Sequence, residues 1–282
     1  MGQWYPNGLG QVAADALVVN ERLHTLGATR VFYVHHSGVD ANNTGEQPER
    51  PFATLGQGVT SASNDDIIVL MSGHSETPAG LLTVSEKLTI IGGGSSAGQP
   101  TVSLTAPGSA GLLALTGTDI EIRNIKFPPR TEPDATVKIA VTGANVLFRG
   151  CRFECDGNDD EACVGMTSGS GLAYARFENC TFVSTATSAT ARPFTPLMLY
   201  GGSTLDRLDI IDCVFDGGAF GFDTAASGSG RDGFAAEFAG TITRCRVQGV
   251  SMLRSADIKF GNTPVGWWQA PTVTGSSYLR GA

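Results

Sequence analysis

The sequence predicts an all-β chain wound as a solenoid, and three observations predict it. A six-residue unit recurs five times at wide spacing, the composition is poor in charge and rich in glycine, and helical periodicity is missing between the repeats. The unit runs Ile122-Arg-Asn-Ile125-Lys-Phe127, Phe148-Arg-Gly-Cys151-Arg-Phe153, Phe177-Glu-Asn-Cys180-Thr-Phe182, Ile210-Ile-Asp-Cys213-Val-Phe215 and Ile242-Thr-Arg-Cys245-Arg-Val247. Its fourth residue advances from 125 to 151, 180, 213 and 245, in steps of 26, 29, 33 and 32. Charged residues make up 16% of the 282 and glycine supplies 37, which favours many short strands and turns over a helical bundle.

Alternation puts Ile120 and Ile122 on one face of a strand, with Glu121 and Arg123 on the other. One such unit cannot bury its apolar face, whereas a stack of units makes a continuous core. Leucine-rich repeats would need leucine at positions where it is scarce, and a β-sandwich predicts no recurrence of long period. Seven or eight coils at about 4.8 Å each would give a rod about 35–40 Å long.

Along the chain, residues 1–28 are expected to be an arm with a capping helix. Val12, Leu17, Val18, Leu23 and Leu26 have helical spacing before a C-cap at Gly27. A solenoid needs its open end covered, so this helix is assigned to that end. Residues 29–262 are the solenoid. Residues 67–70 and 88–91 begin it with shorter turns of the same design. Leu115-Thr-Gly117 and Val141-Thr-Gly143 each stand seven residues before a repeat, with looser counterparts at 164–166, 197–199 and 234–238. Irregular loops are expected at 156–161, 184–192 and 223–232. Residues 263–282 form a C-terminal tail.

The charge balance, 19 basic against 27 acidic residues and net −8, speaks against nucleic-acid binding. No apolar run approaches the roughly 20 residues of a membrane helix. The start has neither a cationic n-region nor an apolar h-region, so synthesis and retention in a cytoplasm are expected.

Candidate chemistry is sparse. Ile125, Cys151, Cys180, Cys213 and Cys245 share one repeat position and should form a core ladder of free thiols, beside a second ladder of Phe127, Phe153, Phe182 and Phe215. Cys155 and Cys163 flank a loop and could pair in an oxidising medium. Asp156, Asp159, Asp160 and Glu161 make an acidic loop, expected to be a solvated turn, with a cation site as the alternative. Arg123, Lys126, Arg149 and Arg152 should point outward as a basic stripe able to grip an anionic ligand, unless Glu121 and Glu154 balance it. For glycoside hydrolysis the carboxylates on offer are Asp206, Asp209, Asp212, Asp216 and Glu178, although Asp212 and Asn179 more simply cap turns. His35, His36 and His74 are expected to be ordinary surface or turn residues. Trp4, Tyr5, Trp267, Trp268 and Tyr278 lie in the terminal segments and are expected to dock on a partner. No cofactor and no metal are expected.

One stretch carries a family resemblance. Phe32-Tyr33-Val34 is followed by Gly38, Asp40, Asn43, Gly45 and Pro48, then Pro51-Phe52-Ala53-Thr54-Leu55, then Asn64-Asp65-Asp66 leading into 67–70 and Gly73. This resembles the opening segment of right-handed parallel β-helix proteins, the pectin-lyase-like superfamily. The later Asn-Cys-x-Phe units resemble that family's coils. The resemblance covers residues 31 to about 260 and implies a single-stranded right-handed parallel β-helix with an N-terminal helical cap and extended termini. The superfamily includes polysaccharide lyases and hydrolases as well as bacteriophage tailspikes and virion proteins. Small size and the lack of an export signal turn the expectation to a non-enzymatic virion protein. The expected role is capsid decoration, attached to phage capsid or tail proteins through the termini and trimeric as its relatives commonly are. The alternatives are a polysaccharide-degrading lyase or hydrolase, or a protein that binds a surface glycan.

Overall fold

The computed structural model describes residues 30–95, 97–104, 113–129, 135–155, 160–166, 173–184, 194–200, 205–216, 220–225, 239–243 and 246–248. Within them the chain passes repeatedly through three sheets, and every strand pairing is parallel. Sheet 1 has eight strands: Val31–Val34, Ile67–Leu70, Thr89–Gly92, Glu121–Arg123, Val146–Arg149, Ala173–Glu178, Leu205–Ile211 and Ala239–Thr243. Sheet 2 has seven: Ser75–Glu76, Thr101–Val102, Lys126–Phe127, Arg152–Cys155, Thr181–Ser184, Val214–Asp216 and Arg246–Gln248. Sheet 3 has six: Leu82–Val84, Leu113–Leu115, Ala135–Val141, Asp160–Met166, Phe194–Tyr200 and Phe220–Ala225. Each strand pairs with its counterpart one coil on. This is a right-handed parallel β-helix: the solenoid is what the repeat predicts, and its hand is what the resemblance implies.

The six-residue unit is the corner between sheets 1 and 2. Its first residue gives the sheet 1 column Ile122, Phe148, Phe177, Ile210, Ile242, in unbroken register. Its last residue gives the sheet 2 column Phe127, Phe153, Phe182, Phe215, Val247. Between them the third residue makes the bend. Asn124, Gly150, Asn179 and Asp212 all take positive φ, between 53° and 63°. Asn, Asp and Gly are the residues that enter this left-handed region at least cost. The expected turn role of Asn179 and Asp212 is therefore the one observed.

The fourth residue then points inward. Ile125, Cys151, Cys180 and Cys213 are all buried, while Cys245 lies outside the described residues. Cys151, Cys180 and Cys213 are free thiols. Each donates to a carbonyl one coil below: Cys151 to Ile122 at 3.5 Å, Cys180 to Phe148 at 3.5 Å, Cys213 to Phe177 at 3.5 Å. Burial pushes the Cys180 thiol well above its ordinary value, with hydrogen bonds to Cys151 and Cys213 acting in the same direction. All three pack as small apolar fillers.

Aromatic rings repeat at the coil spacing. Phe148 and Phe177 stack at 4.9 Å and 6°, and Phe153 and Phe182 at 4.9 Å and 13°. Phe127 continues the second stack at 5.4 Å, and Phe153 meets Phe148 edge-on at 5.7 Å. The two stacks thus interlock at right angles, an arrangement that adds to simple burial.

The 64–73 segment and the 38–55 segment build the first coil. The Asp40 carboxylate accepts from the Ala53 N–H at 2.7 Å, the Thr54 N–H at 3.1 Å and the Thr54 hydroxyl at 2.8 Å. Asn43 donates to the Pro51 carbonyl at 2.9 Å. Gly45, at φ 68°, leaves room that the Phe52 ring occupies. Thr54, held in this way, caps helix α1 (Leu55–Ser61) through its side chain. The helix was not foreseen; the Thr54 cap was its one sequence signal. It lies over the end of the core, where a side chain at Gly58 would press on Val34 and Ile68.

Several expectations change. The helix covering the described end is α1, and residues 12–26 lie outside the described residues. Asp160 and Glu161 open a sheet 3 strand instead of closing the acidic loop, whose Asp156 and Asp159 lie outside the described residues. Residues 223–225 belong to a strand instead of a loop, and 234–238 lie outside the described residues. The counterpart of Leu199 in sheet 3 is Thr224.

Phe153 touches four other phenylalanines. Phe153→Ala should therefore lower unfolding stability by about 3–5 kcal/mol, measured by chemical denaturation. A loss under 1 kcal/mol would mean that the stack collapses around the gap.

Candidate functional site

The outward faces of sheets 1 and 2 carry the charged groups. Strand alternation sends Arg123, Lys126, Arg149 and Arg152 outward, opposite the buried columns. They are joined there by Arg176 and by three glutamates. Arg123 donates to Glu121 at 2.6 Å. Arg149 reaches Glu178 at 2.6 Å, one coil ahead, and Glu121 at 3.7 Å, one coil behind. Arg176 also pairs with Glu178. On sheet 2, Glu154 receives Arg152 at 2.5 Å and Lys126 at 3.1 Å. Asp209, buried, stands in register with Arg176.

Cations and carboxylates interleave across coils, so the face is a ladder of opposite charges. Glu154 shows the balance. Its burial works against the ionised form, but hydrogen bonds from Arg152 and Lys126, with their charges, outweigh it and hold the carboxyl below its usual range.

Two of the carboxylates named for catalysis have structural roles. Glu178 is bound by two arginines. Asp212 sits in the bend with φ 54°. Among the described residues no three His, Cys, Asp or Glu side chains are placed to hold a metal ion. The docking aromatics Trp4, Tyr5, Trp267, Trp268 and Tyr278 lie outside the described residues.

Sequence reasoning missed one cluster. The rings of His35 and His36, just past the first strand, lie 4.1 Å apart and tilted by 37°, and His74 lies 6.4 and 6.3 Å from them. The missing signal was register: Val34 pairs with Leu70, which brings the residue after the first strand beside the corner holding His74. His74 is buried, with Nε2 3.3 Å from a Glu76 oxygen. The same oxygen accepts the Leu55 N–H at 2.8 Å, in the first turn of α1. Burial lowers the proton affinity of His35, and the neighbouring His36 and His74 lower it further.

The sheets, columns and bends define a right-handed parallel β-helix. No protein-family model matches the sequence, and no curated protein matches it. Two solved structures are similar in fold. One is a rhamnogalacturonan lyase at 12% identity and a TM-score of 0.48, with 79% of this chain and 68% of that one covered. The other is a pectate lyase at 12% identity and a TM-score of 0.48, with 79% and 64% covered. The chain thus spans slightly less than two thirds of the second.

Two pH windows follow. Glu154 ionises more readily when folded, so its contribution is present above its unfolded value of about 4.5 and fades as pH falls through the folded value. At pH 7, Glu154→Gln should cost on the order of 1–2 kcal/mol, with the gap to wild type closing in acid melts. His35 binds a proton less readily when folded, so it favours the folded chain above about 6.5 and loses that effect as pH falls below it. His35→Gln should flatten the stability profile between about pH 7 and 5, measured by thermal unfolding.

Proposed function

We propose that this chain is a non-enzymatic structural protein of a bacteriophage virion, with capsid decoration as its role. The observation that carries the reading is the outward ladder. Its described carboxylates neutralise neighbouring arginines and lysines, so they serve the rod and not a bound substrate. The interior supports the same reading, because stacked phenylalanines and thiols fill it. Among the described residues no helix is long and apolar enough to cross a membrane. A stacked rod whose sequence carries Trp4, Tyr5, Trp267, Trp268 and Tyr278 in its terminal stretches suits a brace or projection on a particle. Assembly in the host cytoplasm and a trimeric state complete the proposal.

Immunogold labelling of virions assembled with the chain tests the location, and gold on the head is the expected result. A parallel assay incubates the purified chain with anionic and neutral polysaccharides and follows new reducing ends and unsaturated products. Neither should form above background. Depolymerisation would overturn the structural reading and establish the polysaccharide-degrading alternative.

A further inference from the structure

The histidine cluster stands where the first coil is closed. The outer edge of the first strand is held by the 38–52 segment. Tyr33 donates to the Gly45 carbonyl at 2.6 Å, His35 to Phe52 at 2.8 Å and Val39 to Pro51 at 3.2 Å. Phe52 donates back to the Tyr33 carbonyl at 2.9 Å. The turn that leads from the strand into this segment is closed by the Gly38 N–H on the His35 carbonyl at 2.7 Å.

The His35 side chain braces the same turn. The Ser37 N–H donates to its Nδ1 at 3.3 Å, and the Ser37 hydroxyl lies 2.7 Å from that nitrogen. A backbone N–H only donates, so Nδ1 is the acceptor here and the ring is neutral, with its proton on Nε2. An imidazolium carries a proton on both nitrogens and would leave the Ser37 N–H without this acceptor.

The surroundings oppose that second proton. The rings of His36 and His74 flank His35 at 4.1 and 6.4 Å. His74 is held in place: it is buried, donates from its backbone to Met71 at 3.0 Å and accepts from Thr101 at 2.8 Å. Glu76 faces His74, at 3.3 Å from Nε2. In the 38–52 segment Asp40 is engaged by Ala53 and Thr54, Glu49 acts on the Tyr33 phenol, and Glu46 and Arg50 are exposed. Helix α1 carries no charged side chain. A charge on His74 therefore meets a carboxylate, whereas a charge on His35 meets two other imidazoles. Burial and these neighbours lower the proton affinity of His35 in the closed turn.

We propose that His35 is a proton-sensitive latch on the first coil: a proton taken up at Nδ1 releases the Ser37 N–H, drives the ring from His36 and His74, and loosens the 38–52 segment from the first strand. His35 binds a proton more readily once the turn is open. The closed form is thus favoured above about pH 6.5, and the open form gains as pH falls below it. The effect is local, because no histidine follows His74 in the sequence.

Hydrogen exchange of the full chain, read by peptide mass spectrometry at about pH 7.5 and 5.5 and corrected for intrinsic exchange rates, tests the latch. Protection across residues 33–39 should fall about threefold to tenfold at the lower pH, since one proton shifts an opening by at most about tenfold per pH unit. Protection across 147–154, in the middle coils, should hold. His35→Gln should remove the pH dependence at 33–39, and His36→Gln, at an exposed position, should reduce it. Protection at 33–39 that does not change with pH in wild type overturns the proposal, as does an equal fall at 147–154. A dependence in His35→Gln equal to wild type also overturns it. Should that variant fail to fold, an undiminished dependence in His36→Gln decides against the latch.

Discussion

Register is the constraint on which everything else rests. In a parallel stack, each residue lies over its counterpart one coil away, so a like residue can repeat upward without end. Phe148 over Phe177 and Phe153 over Phe182 exploit that geometry. A slip of one residue would turn a whole strand inside out, with phenylalanines in water and arginines in the core. The left-handed bends at Asn124, Gly150, Asn179 and Asp212 prevent that slip. They place the end of one sheet and the start of the next at a fixed residue in every coil.

The same register organises the surface. Because Arg149 sits over Arg123, like charges would repeat along the rod if the pattern were strict. It is broken instead by Glu178, in register with Arg149 one coil on, and Arg149 bridges carboxylates from the coils on both sides. Exposed ion pairs taken singly add little stability, but a network tied across coils resists sliding between them.

Much of the fold was legible because the information is local. Cys151, Cys180 and Cys213 announced their column through spacing alone, since every coil must solve the same corner with the same small buried residue. Counter-charges are harder to read. Glu178 was visible as a carboxylate, but its two arginine partners come from its own coil and the coil before, and only register says which. The histidine cluster failed for the same reason: His35 and His74 are 39 positions apart and meet only because one turn of the helix brings them together. Helix α1 was hidden by its glycines, Gly56 and Gly58, which weaken the propensity signal. Gly58 is there for space, and space is a tertiary fact.

The clasp between the first strand and the 38–52 segment has a consequence for self-association. Tyr33 donates to Gly45 and accepts from Phe52, and His35 donates to Phe52, so the outermost strand has already spent its free backbone groups on its own chain. A solenoid with a naked first strand would be a template for another rod, and identical rods would join tip to tail into fibres. Here that tip is closed before a second molecule arrives, so each rod remains a discrete object even when many copies crowd together.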